Sequence, residues 1–162
     1  MDNSMFKRVL IANRGEIALR ISRALRELGV EVCIVHGRED RLSLPVRFSD
    51  YAIPLYHTNP LDSYLDFEAI IQAAKEIGAE AIHPGYGFLA ENAAFVKRCE
   101  EEGITFIGPS AEVISLLGDK IEARKAMEAA GLPVAKGSDE AIDNAHEASQ
   151  LAADIGLSLI HI

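Results

Sequence analysis

The 162-residue chain has only two cysteines, fewer basic than acidic residues, no glycine-rich dinucleotide fingerprint and no apolar run of membrane-spanning length. Cys33 lies in an apolar run and Cys99 in a charged segment. Neither has the spacing of a metal site or a secretory context for a bridge, so both are expected to be reduced thiols. Lys and Arg number 16 against 25 Asp and Glu, for a net charge of −9 and a pI near 5.0. Nucleic acid and anionic lipid are gripped by clustered cations, so this balance argues against both partners, and any phosphate site must be built locally. A spanning helix needs about 20 apolar residues. None is present, and residues 1–4 are short and polar, from which a cytoplasmic protein without a membrane partner is expected.

What is present is core material in a regular order. The 49 % hydrophobic content suffices for one ordinary domain. Residues 7–12 and 30–36 are compact, β-branched apolar runs that read as buried strands. Between them, Ile17, Ile21, Ala24, Leu25 and Leu28 share one face of a helix over 16–28, with Glu16, Arg20, Arg23 and Glu27 on another. Asn13 is placed to cap this helix with Glu16 as the reciprocal partner of a capping box, and Gly29 to end it. The alternation continues with strands over 52–55, 79–83 and 104–107 and helices over 64–77 and 92–102, which predicts an α/β fold with a Rossmann-like parallel, doubly wound sheet. Helices over 111–117 and 119–130 follow. Gly131 and Pro133 mark a boundary, beyond which 134–138 and a helix over 140–155 open a different unit.

Ligands of such sheets sit beyond the carboxyl ends of the strands. Asn13 to Glu16 brings a helix N-terminus there, which reads either as an anion site or simply as a capped helix. His83, Pro84, Gly85, Tyr86 and Gly87 form a second loop there, readable equally as a ligand-lining turn or as a tight turn with a packed Tyr86. Lys120 follows a natural N-cap, Asp119, in a first helical turn where the macrodipole disfavours cations by about 0.3 to 1 kcal/mol. A phosphate would reverse that preference, whereas a solvated lysine would tolerate it. The stripe Glu16, Arg20, Arg23, Glu27 allows two i,i+4 ion pairs and reads as a solvated face or an interface.

Three stretches together resemble the biotin carboxylase family: KRVLIANRGEIALRI at 7–21, AIHPGYGFLAENAAF at 81–95 and FIGPSAEVISLLGDK at 106–120. The likeness continues through KAMEAAGLPVAKGSD at 125–139. It implies an N-terminal, pre-ATP-grasp domain over 1–131 and the start of the ATP-grasp region over 132–156. It implies an ATP contact for Lys120, a place beside the active site for His83, Gly85, Tyr86 and Gly87, and a homodimer surface containing Arg20, Arg23 and Glu27. For the whole enzyme it implies a ligase that carboxylates biotin with ATP, Mg2+ and bicarbonate. Its partners would be a biotin carboxyl carrier protein and a carboxyltransferase, with the acetyl-CoA carboxylase type favoured. The loops at 37–45 and 55–59 depart from the family pattern and carry no transferred role.

The metal-binding and bicarbonate-binding residues of the family lie beyond residue 156, so the fragment is expected to be inactive alone and to bind no cofactor tightly. Beyond Gly156 the family continues with a proline and an apolar strand ending in a second nucleotide lysine, whereas this chain reads LSLIHI over 157–162. Those six residues are also the translation of CTG TCT CTT ATA CAC ATC, which resembles a transposon end used in sequencing-library preparation. The tail is therefore read as non-native, with a divergent strand end as the other reading. Two alternatives stand beside the biotin carboxylase reading: another ATP-grasp ligase, such as a carbamoyl-phosphate synthetase, and a non-catalytic Rossmann-like binding or dimerisation module.

Overall fold

The computed structural model describes residues 6–138, 140 and 142–157. The reading of 157–162 as a non-native tail lies, beyond Leu157, outside the described residues. Five strands form one parallel sheet in the order β3-β2-β1-β4-β5. They are β1 (Arg8–Ile11), β2 (Glu31–His36), β3 (Tyr51–Pro54), β4 (Ala81–His83) and β5 (Thr105–Phe106). The doubly wound α/β expectation is met, with each strand at or within one to two residues of its predicted place.

Alternation along β1 explains the layers. Val9 and Ile11 point to one face, where they join Val32, Ile34 and Ala81 under helix α1 (Gly15–Glu27), which contributes Ala18, Ile21 and Leu25. Leu10 and Ala12 point to the other. There Cys33, Val35 and Ile82 pack under α3 (Phe67–Glu76) and α4 (Ala93–Glu101), through Ile70, Ile71, Ala74, Phe95 and Val96. A strand covered on both faces can be apolar at every position, and residues 9–12 are fully buried.

Cys33 and Cys99 are both free and buried. Burial pushes each thiol up to about 12, which leaves almost no thiolate near neutrality. At about pH 8 both are expected to react with iodoacetamide only as fast as the fold opens. Prompt labelling of the native chain, read by intact mass, would contradict this.

Several local expectations are revised. The helix expected over 64–77 starts at Phe67 as α3, after a 3-10 turn over Pro60–Tyr64, because Asp66 caps α3 by accepting from Ala69 N at 3.0 Å. A short helix, α2 (Leu44–Phe48), was not anticipated. Neither ion pair expected along α1, Glu16 with Arg20 or Arg23 with Glu27, forms among the described residues; Arg26 pairs instead with Asp50 at 3.5 Å and stacks on Phe48.

The chain divides into two compact units, Met1–Ser115 and Leu116–Ile162, within α5 (Ala111–Gly118). The second holds α6 (Lys120–Ala129) and α7 (Ala145–Ile155), neither of which buries a side chain fully. The helix expected over 140–155 starts at Ala145, because Asn144 caps it by accepting from Glu147 N at 2.9 Å. Arg124 donates to the carbonyl oxygens of Gly137, at 2.8 Å, and Ser138. No helix among the described residues is long and apolar enough to cross a membrane.

Candidate functional site

The order of strands reverses between β1 and β4: the chain leaves β1 toward β2 on one side and later returns to β4 on the other. Parallel register pairs Ile11 with His83, and Ala12 N donates to His83 O at 3.0 Å. The loops after β1 and β4 therefore open side by side at the carboxyl edge of the sheet, the switch point where α/β proteins bind ligands.

The turn after β1 does not behave as a helix cap. The N-cap of α1 is Arg14, without a side-chain cap bond, and the expected Asn13–Glu16 capping box is absent. Asn13 is 2 % exposed. Its Nδ2 donates to Pro84 O at 2.7 Å and to Tyr86 O at 2.8 Å, while its Oδ1 accepts from Arg14 N at 2.8 Å. An unmet pair of carbonyls in a buried loop outweighs one helix amide that Oδ1 would otherwise have satisfied. Glu16, freed from the box, accepts from the Tyr86 hydroxyl at 2.5 Å.

The loop after β4 needs left-handed backbone, at Gly85 (φ +67°), Gly87 (φ +65°) and Phe88 (φ +46°). Gly85 is required twice over, since a Cβ there would sit 2.7 Å from Asn13 Nδ2. His83 Nδ1 accepts from Gly85 N at 3.0 Å, which requires that nitrogen to be unprotonated. Burial pushes the His83 pKa down and favours that neutral ring. The Tyr86 ring is 60 % exposed, so the loop presents a phenol to solvent on a rigid base.

A second bracket escaped the reading of the residues. Arg14 donates from Nε and Nη2 to Asp40 at 2.6 and 2.8 Å, and the Tyr64 hydroxyl donates to the same carboxylate at 2.7 Å. Gly37 N donates to that hydroxyl at 3.0 Å, and the Tyr64 ring meets Phe88 at a centroid distance of 5.3 Å. Arg14's guanidinium, aided by the Tyr64 hydroxyl, holds the Asp40 carboxyl below its ordinary range. No local signal announced it: Asp40 lies in the departing loop at 37–45 and Tyr64 is 24 residues further along the chain.

Lys120 belongs to the other compact unit. It opens α6 behind Asp119, which caps the helix as expected by accepting from Ile121 N at 2.9 Å and Glu122 N at 3.0 Å. Its exposed ammonium has the chemistry of a phosphate contact. Among the described residues no group of three or more His, Cys, Asp or Glu could hold a metal ion. On α1, Arg20, Arg23 and Glu27 line an open groove together with Glu16 and Leu19.

Comparison with known proteins places this arrangement. The domain family described as biotin carboxylase, N-terminal domain, matches residues 5–114. Biotin carboxylase 1 of Bacillus subtilis is 50 % identical over 96 % of the chain and 35 % of its own length. One of the subunits of the pyruvate carboxylase from Methanothermobacter thermautotrophicus is 46 % identical over 96 % of the chain and 32 % of its own length. Among solved structures, the biotin carboxylase domain dimer of Hydrogenobacter thermophilus 2-oxoglutarate carboxylase, in complex with MgADP, ADP and bicarbonate, superposes with a TM-score of 0.89. It is 48 % identical, over 94 % of this chain and 33 % of that one. The chain thus spans about a third of the length of the curated relatives it matches. It belongs to the biotin carboxylase family, as that family's N-terminal domain.

Proposed function

We propose that this chain is the N-terminal part of an ATP-dependent biotin carboxylase, with residues 1–131 as the pre-ATP-grasp domain and 132–156 as the start of the ATP-grasp region. The observation that carries the reading is the paired carboxyl-edge loops, in which the family's AIHPGYGFLAEN and NRGEIA segments are tied to each other by Asn13 and Glu16. A carbamoyl-phosphate synthetase or a bare dimerisation module gives no reason for these two segments to occur together.

In this reading Lys120 meets the nucleotide phosphates, and the His83–Gly87 loop presents Tyr86 and backbone groups to the active site. ATP supplies the phosphoryl group that activates bicarbonate for transfer to biotin, and the residues that hold Mg2+ and bicarbonate lie beyond residue 156. The residues present do what their geometry allows: Lys120 offers charge, His83 stays neutral and shapes the loop, and the sheet edge keeps both loops fixed. Partners on this reading are a biotin carboxyl carrier and a carboxyltransferase. The acetyl-CoA type is one of several, since relatives of similar identity belong to pyruvate and 2-oxoglutarate carboxylases. The acceptor is therefore chosen by the carboxyltransferase, and the reading commits to the biotin half-reaction, in the cytoplasm.

The test is nucleotide binding. In a protein that continues residues 1–156 into the remainder of a family member, Lys120→Ala should raise the Kd for MgADP on the order of tenfold to a hundredfold, the loss expected for one charged hydrogen bond. An unchanged Kd by calorimetry would contradict the assignment of Lys120.

The groove on α1 supports a second element of the proposal, self-association through Arg20, Arg23 and Glu27. All three are exposed, and no ion pair ties them to one another. Arg20→Glu in the longer protein should raise the dimer dissociation constant at least about tenfold. An unchanged constant in analytical ultracentrifugation would count against it.

A further inference from the structure

The stretch 85–88 is held from outside. It has left-handed backbone at three of its four residues, one of them the non-glycine Phe88. Such a conformation is disfavoured for a residue with a β-carbon and persists only where its surroundings over-determine it. The surroundings here are few. Phe88 rests on Tyr64, His83 takes the Gly85 amide, and among the described residues the other side-chain hydrogen bonds to residues 84–88 from a distant part of the chain come from Asn13, in the turn after β1, and Glu16, in the first turn of α1.

Asn13 uses its whole amide on this task. Both of its N–H groups go to carbonyls flanking Gly85, and its oxygen is occupied by Arg14 N, so no donor remains for a ligand. The space it fills is the space a side chain at Gly85 would need. Glu16, one turn into the helix, holds the other end of the loop through the Tyr86 hydroxyl. Glu16 is exposed, so this hold is made and broken in contact with solvent.

We infer that Asn13 and Glu16 are positioning residues for the His83–Gly87 loop, Asn13 by fixing the backbone on both sides of Gly85 and Glu16 by fixing the direction of the Tyr86 side chain. What the loop is positioned for rests on the proposed function; the hold itself does not. The carboxylate of Glu16 also favours the protonated phenol, so Tyr86 titrates above the ordinary tyrosine range while the contact is made.

The test has two arms. In the first, nuclear magnetic resonance of the 162-residue chain follows the 13Cζ signal of Tyr86 with pH, and the exchange of the Gly85 and Ala90 amides, which donate to His83 Nδ1 and Gly87 O. Glu16→Ala, a change at an exposed site, should lower the Tyr86 midpoint toward the ordinary tyrosine value, and Glu16→Gln should keep the side-chain direction without the charge. Asn13→Asp preserves size and Oδ1 but sets a carboxylate against two carbonyls, and should speed exchange at Gly85 and Ala90 at least about tenfold while amides of β2 are unaffected. A Tyr86 midpoint indifferent to Glu16→Ala overturns the inference, and it does so even if Asn13→Asp fails to fold.

In the second arm, biotin-dependent phosphate release is measured in the longer protein. Asn13→Asp and Glu16→Ala should lower kcat/KM on the order of tenfold to a hundredfold, with Glu16→Gln restoring part of the loss. Unchanged kcat/KM beside a released loop would overturn the positioning role and leave the family function standing. Absence of turnover in the unsubstituted longer protein would remove the functional reading, and the spectroscopic arm would still decide whether Asn13 and Glu16 hold the loop.

Discussion

Phe95→Ala is expected to destabilise the first compact unit by about 3 to 5 kcal/mol, the cost of emptying an aromatic site in a packed core. Phe95 is fully buried on α4, with Phe67 at 6.1 Å and Phe106 edge-on at 5.9 Å between ring centroids. Those neighbours belong to α3 and β5, so the ring joins three elements on one face of the sheet. Collapse into the vacated space would have to move a helix, since the backbone of β5 is already fixed to β4. Leu42→Ala, at a side chain 72 % exposed, should change stability by no more than about 0.5 kcal/mol. Urea unfolding followed by circular dichroism compares the two; equal effects would mean that the core has been placed on the wrong face.

The elements most legible in the sequence were those whose signal is local. The runs at 7–12 and 30–36 are apolar at every position that the sheet buries except His36, and the stripe through Ile17, Ile21 and Leu25 has a helical period, so β1, β2 and α1 follow largely from hydrophobic burial. Asp119 reads as a cap and acts as one, because no stronger partner competes for its oxygen. Asn13 had the same local signature and a different fate. Its partners are 71 and 73 residues away, and nothing within four residues of Asn13 announces them.

The candidate site divides along the same line. His83, Gly85, Tyr86 and Gly87 drew notice through glycine spacing, and they share one edge with Asn13 as strand order required. Asp40 and Tyr64 drew none, since their value lies in meeting Arg14 and each other across 24 to 26 residues of chain. The charged stripe on α1 was visible, yet its internal ion pairs are not formed among the described residues, and Glu16 meets a phenol beyond the helix instead of Arg20. Pattern identified which residues could matter, and topology decided what each one touches.

The largest functional effect expected is a loss of turnover that is complete, because catalysis of this kind is divided along the chain. Lys120 is a single exposed cation, and an exposed charge contributes about 1 kcal/mol or less. Binding a polyanion tightly requires several matched donors together with its metal, and on the proposed reading the second nucleotide lysine and the metal-binding residues lie beyond residue 156. The decisive measurement is phosphate release from ATP by two proteins, the 162-residue chain and the same residues 1–156 continued into the remainder of a family member, each with and without bicarbonate and biotin. The account predicts release by the longer protein only when both are present, its loss on Lys120→Ala, and none from the short chain. Bicarbonate- and biotin-dependent release by the 162-residue chain would contradict it.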